Sequence, residues 1–359
     1  MRKITNRFLT LQSVLALLLA TSLLLTACGK PSQTAASSST PEPSASGIAG
    51  NPTTSQDPAL QKFSYSFSSS FDTVITIIGY DKSQDHFDQL AHSAEAMFIE
   101  YHQLYDIYHE YPGLTNLMTL NQKAGQGPIK VDRRIIDLLQ FYQDHYELGR
   151  GQVNMAMGAV LSIWHDHRTA AESGKASVPA LADLQAAAQH IDPAAIVIDQ
   201  AASTVEITDP QVRLDVGAVA KGLATEAIAT YLREQGLTSG IINAGGSSVR
   251  LIGKPADPAR ETWAIGIQNP FAANLVPDTE SLEVIQTNDI SIDTSGDYQR
   301  YFLVDGEMYH HLIDPKTLMP GRYVRAVTIM VEDNALADFL STTVFLMPYE
   351  EGLQLVESI

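Results

Sequence analysis

The chain is poor in cysteine and short of positive charge. Its 359 residues include one cysteine, Cys28. A single thiol closes no intrachain disulfide and builds no Cys-based zinc or iron–sulfur site. Lysine and arginine number 23 against 41 aspartates and glutamates, a formal net charge of −18. Nucleic acids are held by basic faces, so this balance argues against nucleic acid as the main partner. Aromatics are also few, at 8%. Apolar residues nevertheless reach 45%, enough to bury a core and too much for a globally disordered chain. No internal repeat is visible, and the length suits one large domain or two modest ones.

What is present begins with a basic start, Arg2, Lys3 and Arg7, followed by an apolar run from Phe8 to Leu25 and then Leu25-Thr26-Ala27-Cys28. That order is that of a secretory signal. Its last four residues resemble the lipobox of bacterial lipoproteins, in which the cysteine is lipidated and becomes the new N-terminus. The other reading is a transmembrane anchor with an incidental cysteine, but the sole cysteine falls at the cleavage position. The expected division is a lipoprotein signal peptide over 1–27, a flexible Ser/Thr/Pro/Ala-rich tether over 28–60, and one domain over 61–359. Such a tether buries too little apolar surface to offset its ordering entropy. Loss of the signal removes three positive charges. The expected location is extracytoplasmic, lipid-anchored to the membrane through Cys28, on a cell's outer face or the periplasmic side.

In the remainder, β-branched density predicts a strand over Phe71–Tyr80. Helical spacing predicts helices over His86–Tyr105, Asp132–Tyr146 and Ala156–His165, with residues 170–190 also helical. Ile196–Ile198 and Val205–Ile207 form a hairpin, and Ala218–Gln235 is a helix closed by Gly236. Further strands fit Gly240–Asn243, Ser248–Ile252, Trp263–Gln268, Asp289–Ile292, Tyr301–Val304 and Val327–Val331, before a last helix over Leu336–Met347. Strands and helices mix without a regular βαβ period, which favours an α+β fold.

Several segments carry chemistry. Leu214-Asp215-Val216-Gly217-Ala218-Val219-Ala220-Lys221-Gly222 joins a strand to a helix start, where free N–H groups suit a phosphate and Lys221 adds a charge. The same small residues equally serve close packing of a helix on a sheet. Asn243-Ala244-Gly245-Gly246 is either a ligand approach or a hairpin turn. In Tyr309-His310-His311-Leu312-Ile313-Asp314-Pro315, adjacent histidines on extended backbone point to opposite faces, so one can face a site as a general base. Asp338, Ser341 and Thr342 stand at i, i+3 and i+4 on a helix and share a face. Oxygen donors without nitrogen or sulfur suit a hard cation such as Mg²⁺; they equally satisfy local backbone groups.

LDVGAVAKG, INAGG, DTSGDYQRYF, YHHLIDPKT and ALADFLSTTVF occur in that order. This series resembles the ApbE family of FAD:protein FMN transferases over roughly residues 63–355. Phe71-Asp72-Thr73 stands where the family often has Met-Gly-Thr, and residues 151–158 are similar to its Gly-x-Phe-Asp-x-Thr-x-Gly segment. The resemblance implies a single α+β domain, related to the T-fold, with mixed, mainly antiparallel sheets and packed helices. It implies an enzyme that moves FMN from FAD to a Ser or Thr hydroxyl of an acceptor protein through a phosphoester, releasing AMP. Mg²⁺, or Mn²⁺ in its place, would sit at the pyrophosphate. Phe71, Tyr108, Gln152, Val153, Asn154, Asp215, Lys221 and Ile313 fall at flavin-site positions. Asp338, Ser341, Thr342 and the Ala218 carbonyl match metal positions, and His311, with Asp338, is expected to be catalytic, His311 as general base.

The chain departs from the family pattern at Asn154 and Ala156, usually Asp and Thr, at Leu318, often glycine, at Ala326, commonly serine, and at Ser341, in some members Asp. Family members usually continue past the equivalent of Ile359, so the chain is expected to end early and leave an edge strand unpaired. Two further readings share these residues: a metal-dependent FAD pyrophosphatase giving FMN and AMP, and an FAD-binding lipoprotein without turnover.

Overall fold

A computed structural model describes residues 59–271 and 281–359 of the protein. The expected signal, Cys28 and the tether before residue 59 lie outside the described residues. Along the chain come strands β1 (Gln61–Ser70) and β2 (Thr73–Asp81), helices α1 (Gln84–Tyr105) and α2 (Leu117–Gln122), β3 (Ile129–Lys130), α3 (Arg133–His145), α4 (Gly158–Glu172) and α5 (Leu181–Ala187). They are followed by β4 (Ile196–Asp199), β5 (Thr204–Ile207), α6 (Ala220–Glu234), β6 (Gly240–Ala244), β7 (Ser248–Ile252), β8 (Trp263–Gln268) and β9 (Ser281–Thr287). The chain then forms β10 (Ser291–Gly296), β11 (Tyr301–Val304), β12 (Glu307–His310), β13 (Ala326–Val331), α7 (Asn334–Phe345) and α8 (Tyr349–Glu357).

Six strands form one sheet in the order β1-β2-β6-β7-β10-β13, every neighbouring pair antiparallel. Smaller antiparallel groups are β3-β5-β4, β8-β9 and β11-β12. The architecture is the expected mixture of mainly antiparallel sheets and packed helices. Among the described residues no helix is long and apolar enough to cross a membrane.

Alternation along the strands sorts side chains between the two faces of the large sheet. Ile75 and Ile77 of β2 and Ile242 and Ala244 of β6 share a core with Phe87 and Phe98 of α1, Ile228 of α6 and Phe339 of α7. The intervening residues Tyr80, Ile241, Val249, Leu251 and Ile292 pack with Trp263 of β8 in a second cluster. A third cluster joins Met157, Val160 and Trp164 to Phe302 and Tyr309 of the β11–β12 hairpin, with Ile313 and Leu318.

Helix starts follow side-chain caps. The Ser83 hydroxyl accepts the His86 N–H at 3.2 Å, and the Asp333 carboxylate accepts the Leu336 N–H at 2.7 Å. Asn116 and Thr119 form a reciprocal capping box on α2.

The structure departs from the sequence expectations in definable places. Phe71 and Asp72 have φ of 54° and 50° and form the turn between β1 and β2, so the strand expected from Phe71 starts at Thr73. The helical stretch expected over 170–190 is broken at Gly174 (φ 75°), and α5 starts only at Leu181. The strand expected over Asp289–Ile292 is shifted: Asp289 turns at φ 45°, and β10 runs from Ser291 to Gly296. Strands β1, β3 and β9 and helices α2 and α8 have no counterpart in the sequence expectations, and the extended backbone expected at Tyr309–His310 belongs to β12.

Candidate active site

The shift of β10 decides what faces the helices. Ile292 belongs to the cluster on the far side of the sheet, so its neighbour Asp293 and then Ser295 turn toward α6 and α7. Asp293 is 1% exposed. Lys221, in the first turn of α6, places its Nζ 3.7 Å from Asp293 Oδ2 and 3.7 Å from Asp338 Oδ2 of α7. Neither approach is a hydrogen bond; Lys221 Nζ and Asp293 Oδ2 are both buried without a hydrogen-bond partner. Asp338 Oδ2 accepts the Gly222 N–H at 2.8 Å.

The two carboxyls share an electrostatic problem. Burial, and next the charge of Asp338, push Asp293 well above the usual carboxylate range. Burial raises Asp338 as well, opposed by Lys221 and by the Gly222 N–H. With one ammonium beside two buried carboxyls, Asp293 is held toward its protonated form, and only a further positive charge would let both carboxyls ionise together.

Hydroxyls continue the same wall. Ser295 Oγ lies 2.9 Å from Ser341 Oγ and 3.0 Å from Thr342 Oγ1. Ser341 Oγ also donates to the Asp338 carbonyl at 3.0 Å and is fully buried. Thr342 and Ala218 line the cavity, whereas Ser341 lies behind it. Among the described residues no group of three or more His, Cys, Asp or Glu side chains is placed to hold a metal. The donors here are mixed oxygens: carboxylates, hydroxyls and a backbone carbonyl. Together with the Asp293 oxygen, which has the Lys221 ion-pair contact but no hydrogen bond, they fit a hard divalent cation.

The cavity has a volume of about 490 Å³, within the range of small-molecule sites. Tyr108, Gln152, Val153, Asn154, Asp215 and Ile313 line it together with Lys221, Asp338 and His311. Gln152 is buried and its Oε1 has no partner. Asn154 holds its own loop, donating to the Ile191 carbonyl at 2.8 Å and accepting the Ala156 N–H at 2.9 Å. Asp215 accepts the Gly217 N–H at 2.9 Å; burial raises its carboxyl, opposed by that bond and by His165 and Arg168. Exposed Tyr108 stacks on His165 at 4.9 Å between ring centroids. Phe71 is the flavin-position residue that does not line the cavity. It sits in the hairpin turn, edge-on to Phe98 and His102, while its neighbours Asp72 and Thr73 reach the cavity wall.

The paired histidines divide their work. His310 is buried; its Nε2 donates to the Gly321 carbonyl at 2.7 Å and its Nδ1 accepts the Leu312 N–H at 3.2 Å, so both nitrogens are used. His311 Nδ1 donates to the Arg300 carbonyl at 3.3 Å, which leaves Nε2 as the free acceptor. Desolvation, then Arg300, His310 and Arg168, lower the His311 imidazole to about 3. It is therefore neutral at physiological pH.

Asp293, Arg168, Arg300, His165 and Trp164 also line the cavity and were not singled out as site residues. Arg168 donates to His165 Nδ1 at 2.9 Å, which holds both at the mouth. The Asp293 signal lay in the DTSGDY motif, legible only once the strand is extended past Ile292. The arginines carry no local pattern that separates them from surface charge.

The model of the ApbE family matches residues 71–359. An FAD:protein FMN transferase of Klebsiella pneumoniae (strain 342) is 30% identical over 244 residues, 66% of this chain and 70% of that protein. The FAD:protein FMN transferase of Treponema pallidum (strain Nichols) is 32% identical over 248 residues, 67% of each chain. Among solved structures, the ApbE protein of Thermotoga maritima superposes with a TM-score of 0.72 at 24% identity, covering 83% of this chain and 91% of that one. The flavin transferase ApbE of Vibrio cholerae gives 0.68 at 24% identity with the same coverage. At these identities the structural matches speak for the fold.

Proposed function

The chain belongs to the ApbE family, and from that premise we propose that it is an FAD:protein FMN transferase. In this reading it transfers FMN from FAD to a Ser or Thr hydroxyl of an extracytoplasmic acceptor protein, with a divalent cation, Mg²⁺ or Mn²⁺, at the pyrophosphate. The observation that carries it is one cavity lined by Lys221, Asp338, Thr342 and Ala218 together with the neutral His311.

The chain's own groups suit each part of the task. Gln152 Oε1, buried and unpartnered, is an acceptor for the ring N–H that an isoalloxazine carries. The start of α6, with Gly217 and Ala218 at the wall, turns a partial positive charge toward phosphate. Arg168 and Arg300 add full charges at the mouth. Asp338, Thr342 and the Ala218 carbonyl would hold the cation. When bound, the cation neutralises the pyrophosphate and the charge left on the departing phosphate.

His311 Nε2 accepts the proton of the acceptor hydroxyl as that oxygen attacks the phosphorus on the FMN side. The new bond is the O–P bond of the phosphoester. The bond that breaks joins that phosphorus to the bridging oxygen, which leaves with AMP and its electron pair. Alignment of the three atoms does the rest. The Leu25–Cys28 segment, outside the described residues, supports anchoring by lipid at the extracytoplasmic face.

The test incubates the protein with FAD, Mg²⁺ and an acceptor carrying an Asp/Ser-Gly-Ala-Thr-type motif. Fluorescent flavin that stays on the acceptor in a denaturing gel is the expected result. Free FMN and AMP without labelled acceptor would make the protein a pyrophosphatase, and intact FAD would make it a binding protein. Asp338→Ala is expected to abolish turnover.

A further inference from the structure

The large sheet brings a second carboxylate to the wall where α7 offers only one. We infer that Asp293 of β10 is a ligand-side carboxylate for the divalent cation, so that this site holds the ion between the sheet and α7. The inference rests on the proposed transferase reading for the presence of the cation, and on the geometry for the residue. Asp293 is 1% exposed, lines the cavity, and leaves Oδ2 without a hydrogen-bond partner. A buried carboxylate oxygen that makes no hydrogen bond is under-satisfied, and its one ion-pair contact is Lys221 at 3.7 Å.

Lys221 does not fill that role. Its Nζ stands 3.7 Å from Asp293 and 3.7 Å from Asp338, too far for a hydrogen bond to either, and has no hydrogen-bond partner itself. With both carboxyls ionised it would offset one of their two charges. A divalent cation here would be held by Asp293 and Asp338 and would supply the missing positive charge, leaving Lys221 to meet a phosphate oxygen. The hydroxyls of Ser295 and Thr342, 3.0 Å apart, complete an all-oxygen wall. Placement on a central strand rather than a loop fixes the carboxylate before the ion arrives: β10 is hydrogen-bonded to β7 on one side and β13 on the other.

The experiment measures Mn²⁺ binding to the full chain by electron paramagnetic resonance, without FAD. Asp293→Asn keeps size and shape and is expected to weaken Mn²⁺ binding at least about tenfold. A dissociation constant within twofold of the unchanged chain would overturn the inference, because a purely structural partner of Lys221 would leave ion affinity alone. Asp293→Cys gives a second reading that survives any loss of stability in the first variant. A ligand position predicts a shift of at least about tenfold in preference from Mn²⁺ to the thiophilic Cd²⁺, and no shift overturns it. FMN transfer by the unchanged chain is assayed separately. Transfer together with Asp293-independent Mn²⁺ binding sinks this inference alone, whereas Asp293-dependent Mn²⁺ binding without transfer sinks only the transferase reading.

Discussion

Gly222→Ala is the perturbation that most directly tests how α6 and α7 build the site. A Cβ at 222 would lie 2.5 Å from the Asn334 carbonyl oxygen and 2.7 Å from Asp338 Cβ. Both obstacles belong to α7 near its start, and one is backbone, so neither rotates away. Relief needs α6 and α7 to move apart. Overpacking of this kind costs about 1–3 kcal/mol, and the Gly222 N–H to Asp338 bond, 2.8 Å now, weakens by about 1 kcal/mol more. The gain from replacing a helical glycine is about 1 kcal/mol. The net expectation is a destabilisation of about 2 kcal/mol, read as a lower urea midpoint at unchanged slope. Divalent-cation binding should weaken in the same variant, since Asp338 moves with α7. A stabilisation of about 1 kcal/mol, the outcome for a glycine in open helix, would refute the close approach.

Three further changes test other parts. Leu318 has φ 60° and is buried against Trp164, whose Nε1 donates to the Leu318 carbonyl at 3.0 Å. Leu318→Gly relieves about 1 kcal/mol of left-handed strain but loses about 3 kcal/mol of buried side chain, so urea melts should show net destabilisation; a gain in stability would contradict the packing. Glu226 accepts from Arg250 Nε at 2.8 Å and from the Asn334 N–H at 3.0 Å, so it ties β7 to the start of α7. Glu226→Ala leaves the largely buried Arg250 with its main partner gone and should cost about 3 kcal/mol; less than about 1 kcal/mol in chemical denaturation would contradict a structural pair. His311, lowered to about 3, stays neutral in the folded chain while an unfolded histidine charges near 6.5. Between those values the unfolded chain binds the extra proton, so this residue's contribution makes stability fall as pH falls. Imidazole NMR should show no titration of His311 down to about pH 4, and bound FAD, bringing two phosphate charges, should move it upward.

The sequence made much of this site legible because its chemistry sits in short, ordered segments. Helix periodicity placed Asp338 and Thr342 on one face, and the small residues from Gly217 to Gly222 marked a helix start that closes on another element. Tyr309 to Pro315 presented two histidines, and extended backbone already required them to differ. What the one-dimensional pattern did not carry is which nitrogen of each is used; that depends on Gly321 and Arg300, each eleven residues away. Phe71 shows the converse. Its hydrophobic, β-branched surroundings read as a strand, yet the hairpin needed a turn there, and positive φ at two successive non-glycine residues swung the aromatic ring toward Phe98 and His102 rather than into the cavity.

Asp293 marks the limit most sharply. A strand read as ending at Ile292 leaves Asp293 in a loop, where a carboxylate is ordinarily solvated. Two antiparallel neighbours carry the strand on: Asp293 pairs with Ser248 of β7 and Ile329 of β13, and pairing to β13 persists to Gly296. Once the strand continues, period-two alternation leaves no choice about direction, because Ile292 is committed to the far cluster with Trp263 and Leu251. The aspartate must then face α6 and α7. A four-residue difference in where a strand stops thus converts a surface charge into a buried one beside Lys221 and Asp338. The register of the sheet, set by apolar residues that never touch the cavity, assigns the second carboxylate to the site.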